Sequence, residues 1–132
     1  MATINNAKLA ITTDRPLDRA KVVVDCDVDF TEVEVNAMNM LGLRYTLHCR
    51  VLDRIMLEED PVVTFHHQDL PRMSGGATRS MHAEFDAVVA MTDLNEHVFG
   101  KDKLVAELKL KNEETGSELV KRSEVIAIDL AA

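Results

Sequence analysis

Every second residue between positions 20 and 30 is apolar, and this pattern constrains the fold more than any other feature of the chain. The six members of the series are Ala20, Val22, Val24, Cys26, Val28 and Phe30. Charged residues, among them Asp25, Asp27 and Asp29, occupy most of the positions between them. Because successive side chains of a strand point to opposite faces, the series predicts a long strand with one buried face.

The same alternation recurs along most of the chain. Residues 41–51 and 81–91 predict two further long strands, in which the odd positions are apolar. Further strands are predicted for Leu9–Thr13, Thr31–Met38, Pro61–His67, Lys103–Asn112 and Glu118–Leu130. The polar segment Asn112–Ser117 carries a glycine and predicts a hairpin turn between the last two. Asn39–Gly42 either turns the chain or belongs to one long bent strand.

Two segments have a helical signal. Asp93–Gly100 begins with an aspartate cap and ends with a glycine, and Asp53–Asp60 stops before Pro61. Each is long enough for only one or two turns. We expect both to be connections that cross from one sheet to the other.

The length of the chain and the number of strands define the expected architecture. The 132 residues suit one domain, and we expect residues 1–132 to form it. About eight strands without a βα rhythm predict an all-β fold, an antiparallel β-sandwich, with a closed β-barrel as the alternative. The run Tyr45–Asp53 and the loop Phe99–Asp102 resemble immunoglobulin-like or transthyretin-like sandwiches in general layout. That resemblance implies a fold and no function.

The charge of the chain narrows the classes of partner. The formal net charge is −8, and nucleic-acid and anionic-membrane binding both depend on clustered Lys and Arg. We therefore expect neither partner. The first residues lack the basic and apolar regions of a secretory signal, and no apolar stretch is long enough to cross a bilayer. A cytoplasmic location is the expectation.

The sequence holds no common catalytic signature. GxGxxG, GxxxxGK[ST], HExxH, CxxC and GxSxG are all absent. Cys26 and Cys49 both fall on apolar strand faces, where burial suppresses the reactive thiolate, so reduced and inert thiols are expected. An enzyme is the less favoured class, and no cofactor is predicted.

Histidines on strand faces are candidate metal ligands, because imidazole and carboxylate groups bind zinc and iron. The candidates are His48, His66, His67, His82 and Glu84. Adjacent residues of a strand point to opposite faces, so His66 and His67 share an ion only if the chain bends there. A site that also includes His48 and His82 requires their strands to be neighbours.

The longest predicted loop, residues 70–80, is the candidate partner-binding segment. It is the most basic stretch of an acidic chain, and loops on rigid scaffolds carry much of protein binding. The candidate residues are Arg72, Ser74, Gly75, Gly76 and Arg79. We expect this loop to be mobile when free, because its glycines permit many backbone conformations.

Three functional hypotheses follow. The favoured one is a non-enzymatic β-sandwich that acts through protein contacts, as an assembly subunit or an accessory binding module, with self-association as a corollary. The second is a β-barrel carrier that binds a small molecule in its interior. The third is a metal-dependent enzyme that uses the strand-face histidines and Glu84.

Overall fold

The computed structural model describes residues 2–55, 58–71, 80–94 and 102–128. Within these ranges the chain forms nine strands and two helices. In chain order they are β1 (Thr3–Asp14), β2 (Arg19–Asp29), α1 (Glu32–Leu41), β3 (Tyr45–Ile55), β4 (Glu58–Thr64), β5 (Gln68–Leu70), β6 (Ser80–Ala90), α2 (Met91–Leu94), β7 (Asp102–Asn112), β8 (Glu118–Arg122) and β9 (Ile126–Ile128).

The described strands form two antiparallel sheets. The small sheet has the order β1-β2-β6. The large sheet has the order β4-β3-β7-β8, with β5 paired to β3 beside β4 and β9 paired to β7 beside β8. These strands do not close into a barrel. The predicted all-β sandwich is therefore confirmed, and the barrel alternative is wrong.

The inner faces of the two sheets supply the core. On β2 the even residues Val22, Val24, Cys26 and Val28 are fully buried, as the alternation predicts. The large sheet contributes fully buried residues from its two central strands: Leu47, Val51, Leu104, Ala106 and Leu108. Full burial of one Val or Leu side chain contributes about 1.5–3 kcal/mol, so these faces hold the sheets together.

The connections between sheets define the topology. β2 pairs with β6 and β3 with β7, so the central pairings join strands far apart in sequence. The chain passes from the small to the large sheet through α1, and later through α2 and the residues after it. Such crossed connections between antiparallel sheets are typical of Greek-key sandwiches.

α2 occupies Met91–Leu94, so it begins two residues earlier than the predicted Asp93–Gly100 helix. Residues 95–100 of that prediction lie outside the described ranges.

The strand predicted for Thr31–Met38 is wrong, because this segment is helix α1. Thr31 caps the helix: its hydroxyl accepts the amide N–H of Glu34, and the Glu34 carboxylate accepts the N–H of Thr31. Gly42 ends the helix in the left-handed region, with φ of 68°. The buried residues, Val35 and Met38, are three apart, which is helical spacing. The reciprocal cap outweighs the short apolar alternation of the valines.

The helix predicted for Asp53–Asp60 is also wrong, since the chain forms a hairpin between β3 and β4 there. Asp53 pairs with Asp60, and Arg54 pairs with Glu59. On its other side β3 pairs with β7 as far as Asp53, opposite Leu104. A strand hydrogen-bonded on both edges satisfies its backbone groups better than a single isolated helical turn.

The hairpin predicted at Asn112–Ser117 is confirmed by the pairing of β7 with β8.

The strand predicted for Glu118–Leu130 is interrupted between β8 and β9. There the backbone N–H of Ser123 donates to the carbonyl of Ala106 at 3.0 Å, and the N–H of Ala106 donates to the Ser123 hydroxyl at 2.9 Å. The Ser123 side chain thus replaces one ladder bond, and the edge of the large sheet divides into two short strands.

Replacing Thr31 by Ala tests the cap of α1. The substitution leaves the Glu34 N–H without its hydroxyl acceptor, and we expect the free energy of unfolding to fall by about 1 kcal/mol. Urea titration measures this as a lower midpoint at unchanged slope. Thr31→Ser retains the hydroxyl and is the control. Equal midpoints for the Ala and Ser variants would contradict the role of the cap.

Candidate functional site

Three of the predicted metal-ligand candidates lie together on the outer face of the large sheet. His48 belongs to β3, and His66 and His67 form the link between β4 and β5. The ring centroids of His48 and His67 are 5.2 Å apart, and those of His66 and His67 are stacked at 4.7 Å. His66 Nδ1 lies 2.8 Å from the carbonyl oxygen of His67. Because a carbonyl only accepts, this nitrogen carries the proton, and it does not face a shared ion.

The other two candidates, His82 and Glu84, lie on β6 in the small sheet. β3 and β6 are therefore not neighbours, and the five residues do not converge. Gln68 spans part of the gap by donating from Nε2 to the backbone carbonyl of Glu84 at 2.7 Å. Across the described ranges, no three His, Cys, Asp or Glu side chains are grouped so as to hold a metal ion.

His82 instead belongs to a polar cluster on the outer face of the small sheet. Its Nδ1 lies 2.9 Å from Asp27 Oδ1, and Asn6 Nδ2 donates to Asp27 Oδ2 at 2.9 Å. Asn6 has φ of 54° at a register shift in β1, which turns its side chain toward Asp27. The hydrogen bonds from Asn6 and His82 lower the pKa of Asp27, and the bond to Asp27 raises the pKa of His82.

Replacing Asp27 by Asn tests this pair. The variant removes the carboxylate charge, so the pKa of His82 should fall toward its ordinary value of about 6.5. An NMR titration of the His82 ring protons measures the pKa. Asp86→Asn, on the same strand as His82 but opposite Val23, is the matched control. A His82 pKa that responds equally to both variants would show that net charge, and not the hydrogen bond, determines it.

The sign of the pH dependence follows from the direction of each shift. The raised pKa of His82 stabilises the folded state below about pH 6.5, and this contribution disappears as the pH rises through the raised value. The lowered pKa of Asp27 contributes above about pH 3.9 and is lost as the pH falls through the lowered value. The pair therefore stabilises the fold most between these two limits.

An ion-pair network crosses the outer face of the large sheet. Glu107 Oε1 accepts from Arg50 Nε at 2.9 Å, and Glu107 Oε2 accepts from Arg122 Nη2 at 2.9 Å. Arg122 also binds both carboxylate oxygens of Glu59, at 2.7 and 2.6 Å, and Arg54 approaches Glu59 at 3.4 Å. Burial would raise the pKa of Glu107, but the hydrogen bonds from Arg50 and Arg122 outweigh it and lower the pKa. The network joins four strands, β4, β3, β7 and β8.

A pocket of about 240 Å³ opens beside this network. It lies across β4, β3 and β7, and its lining residues are His48, Cys49, Arg50, Thr64, Glu107 and Lys109. Sequence reasoning identified His48 but not the others. Glu107 and Lys109 are unremarkable polar positions of an alternating strand, and only the pairing of β3 with β7 brings them to His48.

The two cysteines are buried on inner faces, as predicted. Cys26 is 0% and Cys49 3% exposed, and both are free. Burial raises the pKa of Cys26 to about 11 and that of Cys49 to about 12. Neither thiol has the lowered pKa of a catalytic nucleophile.

Thiol labelling tests this assignment. A pKa of about 11 or 12 leaves roughly one thiolate in a thousand or in ten thousand at pH 8, against about a quarter for a free cysteine. Ellman's reagent should therefore react with the native protein orders of magnitude more slowly than with the protein in guanidinium chloride. The native rate should rise about tenfold from pH 8 to 9. Rapid labelling of either cysteine at pH 8 under native conditions would contradict the inert state.

Helix α1 exposes an apolar face at one end of the sandwich. Val33 is 77%, Met40 82% and Leu41 74% exposed. At 100° per residue Val33 and Met40 lie about 20° apart, on the side of the helix away from buried Val35 and Met38. Leu41 ends the helix and lies about 60° from Met38 around the axis, so the exposed apolar stripe widens toward the last turn. The strand predicted for Thr31–Met38 gives no sign of this stripe, because its helical spacing differs from strand alternation. The capping pattern from Thr31 to Glu34 was the signal that could have revealed it.

The predicted partner-binding residues Arg72, Ser74, Gly75, Gly76 and Arg79 lie outside the described residues. The described residues on either side of them lie at the α1 end of the sandwich. Leu70 pairs with Tyr45 at the start of β3, and Ser80 pairs with Asp29, just before α1. The binding role of this loop stays a prediction.

The fold and these surfaces define an all-β sandwich. No family model matches the chain, and no curated protein matches it. Among solved structures it is similar to part of β-glucosidase 3B from Thermotoga neapolitana in complex with glycerol, with 8% sequence identity and a TM-score of 0.35. The match covers 96% of this chain and 17% of that chain, and at this level it says nothing about function.

In the described part of the chain, neither helix has the length and apolar character needed to cross a membrane.

Proposed function

We propose that this protein is a non-enzymatic binding module that contacts another protein through the apolar stripe of α1, defined by Val33, Met40 and Leu41. The observation that carries the proposal is the exposure of these three large apolar side chains, each above 70%, along a ten-residue helix. Contiguous exposed apolar surface marks interaction sites more often than isolated exposed residues do.

The packing of α1 supports an external partner. The opposite face of the helix already buries Val35 and Met38 in the sandwich core, so the helix is held in place without the stripe. The stability of the fold therefore does not depend on the stripe. Full burial of a Val, Leu or Met side chain contributes about 1.5–3 kcal/mol. Burial of these three side chains by a partner would favour association by this free energy per residue.

The charges around the stripe indicate what kind of surface it fits. α1 carries no basic residue, and its first turn holds Glu32 and Glu34. The β7–β8 turn lies beside the end of the helix, where the N–H of Glu113 donates to the carbonyl of Arg44 at 2.8 Å. In that turn Arg44 balances the charge of Glu114, so the acidic character beside the stripe comes from the first turn of the helix. The complementary surface is an apolar groove bordered by Lys and Arg on a different protein.

A second copy of the chain fits this description poorly. Two stripes in contact would bring two first turns rich in carboxylates together, on molecules that each carry a net charge of −8. Like charges at an interface oppose association. Self-association through α1 is therefore the outcome that would replace this proposal, and sedimentation equilibrium detects it.

The other hypotheses have less support. A small-molecule carrier needs room between the sheets, whereas Val22, Val24, Leu47 and Leu108 fill the centre of the sandwich at 0% exposure. A metal-dependent enzyme needs converging ligands, and His48 and His82 lie on different sheets. Neither hypothesis has an observation as specific as the exposed stripe.

The test combines photo-crosslinking with a matched pair of variants. A photoreactive amino acid at position 40, compared with position 17, identifies the protein that contacts the stripe in the source cell. The purified partner is then titrated with the wild type, Leu41→Glu and Leu17→Glu. Leu17 is 61% exposed in the turn between β1 and β2, so its variant makes the same chemical change away from α1.

We expect Leu41→Glu to weaken binding at least tenfold, equivalent to about 1.4 kcal/mol, and Leu17→Glu to leave it unchanged. Equal affinities for both variants, or crosslinks no more frequent at position 40 than at position 17, would refute the proposal. Sedimentation equilibrium supplies the remaining outcome. Concentration-dependent dimers of the wild type that Leu41→Glu dissociates would identify a second copy as the occupant and overturn the proposed partner class.

A further inference from the structure

The pocket on the outer face of the large sheet is formed by residues that the strand register places side by side. Arg50 on β3 lies directly opposite Thr64 on β4 and Glu107 on β7. His48, two residues earlier on β3, lies opposite Lys109. Directly opposed side chains of neighbouring strands are about 5 Å apart, so these five groups converge on one volume of about 240 Å³.

The charge of this pocket is positive, although the chain as a whole is acidic. Arg50 and Lys109 supply two positive charges against the one carboxylate, Glu107, whose oxygens are bound by Arg50 and by Arg122; Arg122 is shared with Glu59. Lys109 approaches Glu118 only at 3.6 Å and is 40% exposed. Arg50 is 46% exposed and contacts Glu107 through Nε, so this contact does not use its two terminal nitrogens.

The cations around the pocket also act on His48. Its pKa is lowered first by burial, and then by His67 and Lys109. Two further groups face it: Lys111 on β7 lowers the pKa, and Glu113 in the β7–β8 turn raises it. Thr46, on its own strand, contacts Nε2 at 3.1 Å. Burial and the positive groups together outweigh the single carboxylate, so an added proton is disfavoured there.

We propose that this pocket binds a small oxyanion, a phosphate or carboxylate group held between Arg50, Thr64 and Lys109. The planar guanidinium of Arg50 suits two parallel hydrogen bonds to such a group, the ammonium of Lys109 supplies a point charge, and the Thr64 hydroxyl donates one further bond. The volume equals that of about eight water molecules, which suits a phosphate or a short dicarboxylate.

The experiment titrates the full chain, labelled with ¹⁵N, with inorganic phosphate and separately with succinate, at constant ionic strength maintained with chloride. Amide shifts locate the site, and the His48 ring protons report its pKa. We expect saturable shifts in β3, β4 and β7 around residues 48–50, 64 and 107–109. Binding should raise the pKa of His48, because an anion beside the ring favours its protonated form. The two titrations show whether phosphate or carboxylate is preferred.

Two lysine variants separate a site from general charge attraction. Lys109→Met removes the ammonium from the pocket, and Lys103→Met removes the same charge from an exposed position on the same face of β7. We expect Lys109→Met to weaken anion binding at least tenfold and Lys103→Met to change it less than twofold. Lys109→Arg keeps the charge and should restore most of the affinity.

Three results would overturn the proposal: no saturable shift with either anion, equal weakening by the two Met variants, or saturation without a rise in the His48 pKa. If chloride alone produces the same amide shifts, the pocket holds an adventitious ion only, and this result also overturns the proposal. Leu41→Glu on α1 should leave anion binding intact. The anion-binding proposal and the proposed α1 contact are therefore tested independently, and either can fail while the other holds.

Discussion

The register of the two central strands, β2 and β3, is the constraint on which the rest of the structure depends. Each strand has one fully buried face, and strand side chains alternate with a period of two residues. A shift of one residue would exchange every buried residue with an exposed one. The burial of Val24 and Leu47 therefore also decides that Asp27 meets His82, and that Arg50 meets Glu107, on the outer faces.

Both outer faces consequently carry polar clusters of a similar kind. A carboxylate on one strand is bound by side chains from the strands on its two sides: Asn6 and His82 for Asp27, and Arg50 and Arg122 for Glu107. The two clusters differ in how far their side chains are exposed to solvent. Glu107 is 8% exposed and its network extends over four strands, whereas the Asp27 pair lies largely open to solvent. Salt therefore screens the Asp27 pair more strongly than the Glu107 network.

The sequence predicts the fold class well, because alternation is a local signal repeated along the chain. It fails where two local signals compete. At Val33 and Val35 a short alternation coincides with the cap formed by Thr31 and Glu34, and the cap prevails because it satisfies backbone groups on both sides. The candidate site is less predictable. His48 is recognisable alone, but its neighbours Lys109 and Thr64 are brought to it by pairings between distant strands, which periodicity does not specify.

The edges of both sheets are interrupted at several points. β1 has a register shift at Asn6, the link at His66 and His67 separates β4 from β5, and Ser123 separates β8 from β9. An intact edge strand is a template onto which a foreign strand can add, and such addition leads to aggregation. Among the described strands only β6 runs along an edge without a break in its pairing, and there Gln68 already occupies the carbonyl of Glu84. The same irregularities that shape the outer surfaces therefore shorten the unbroken edges onto which a foreign strand can add.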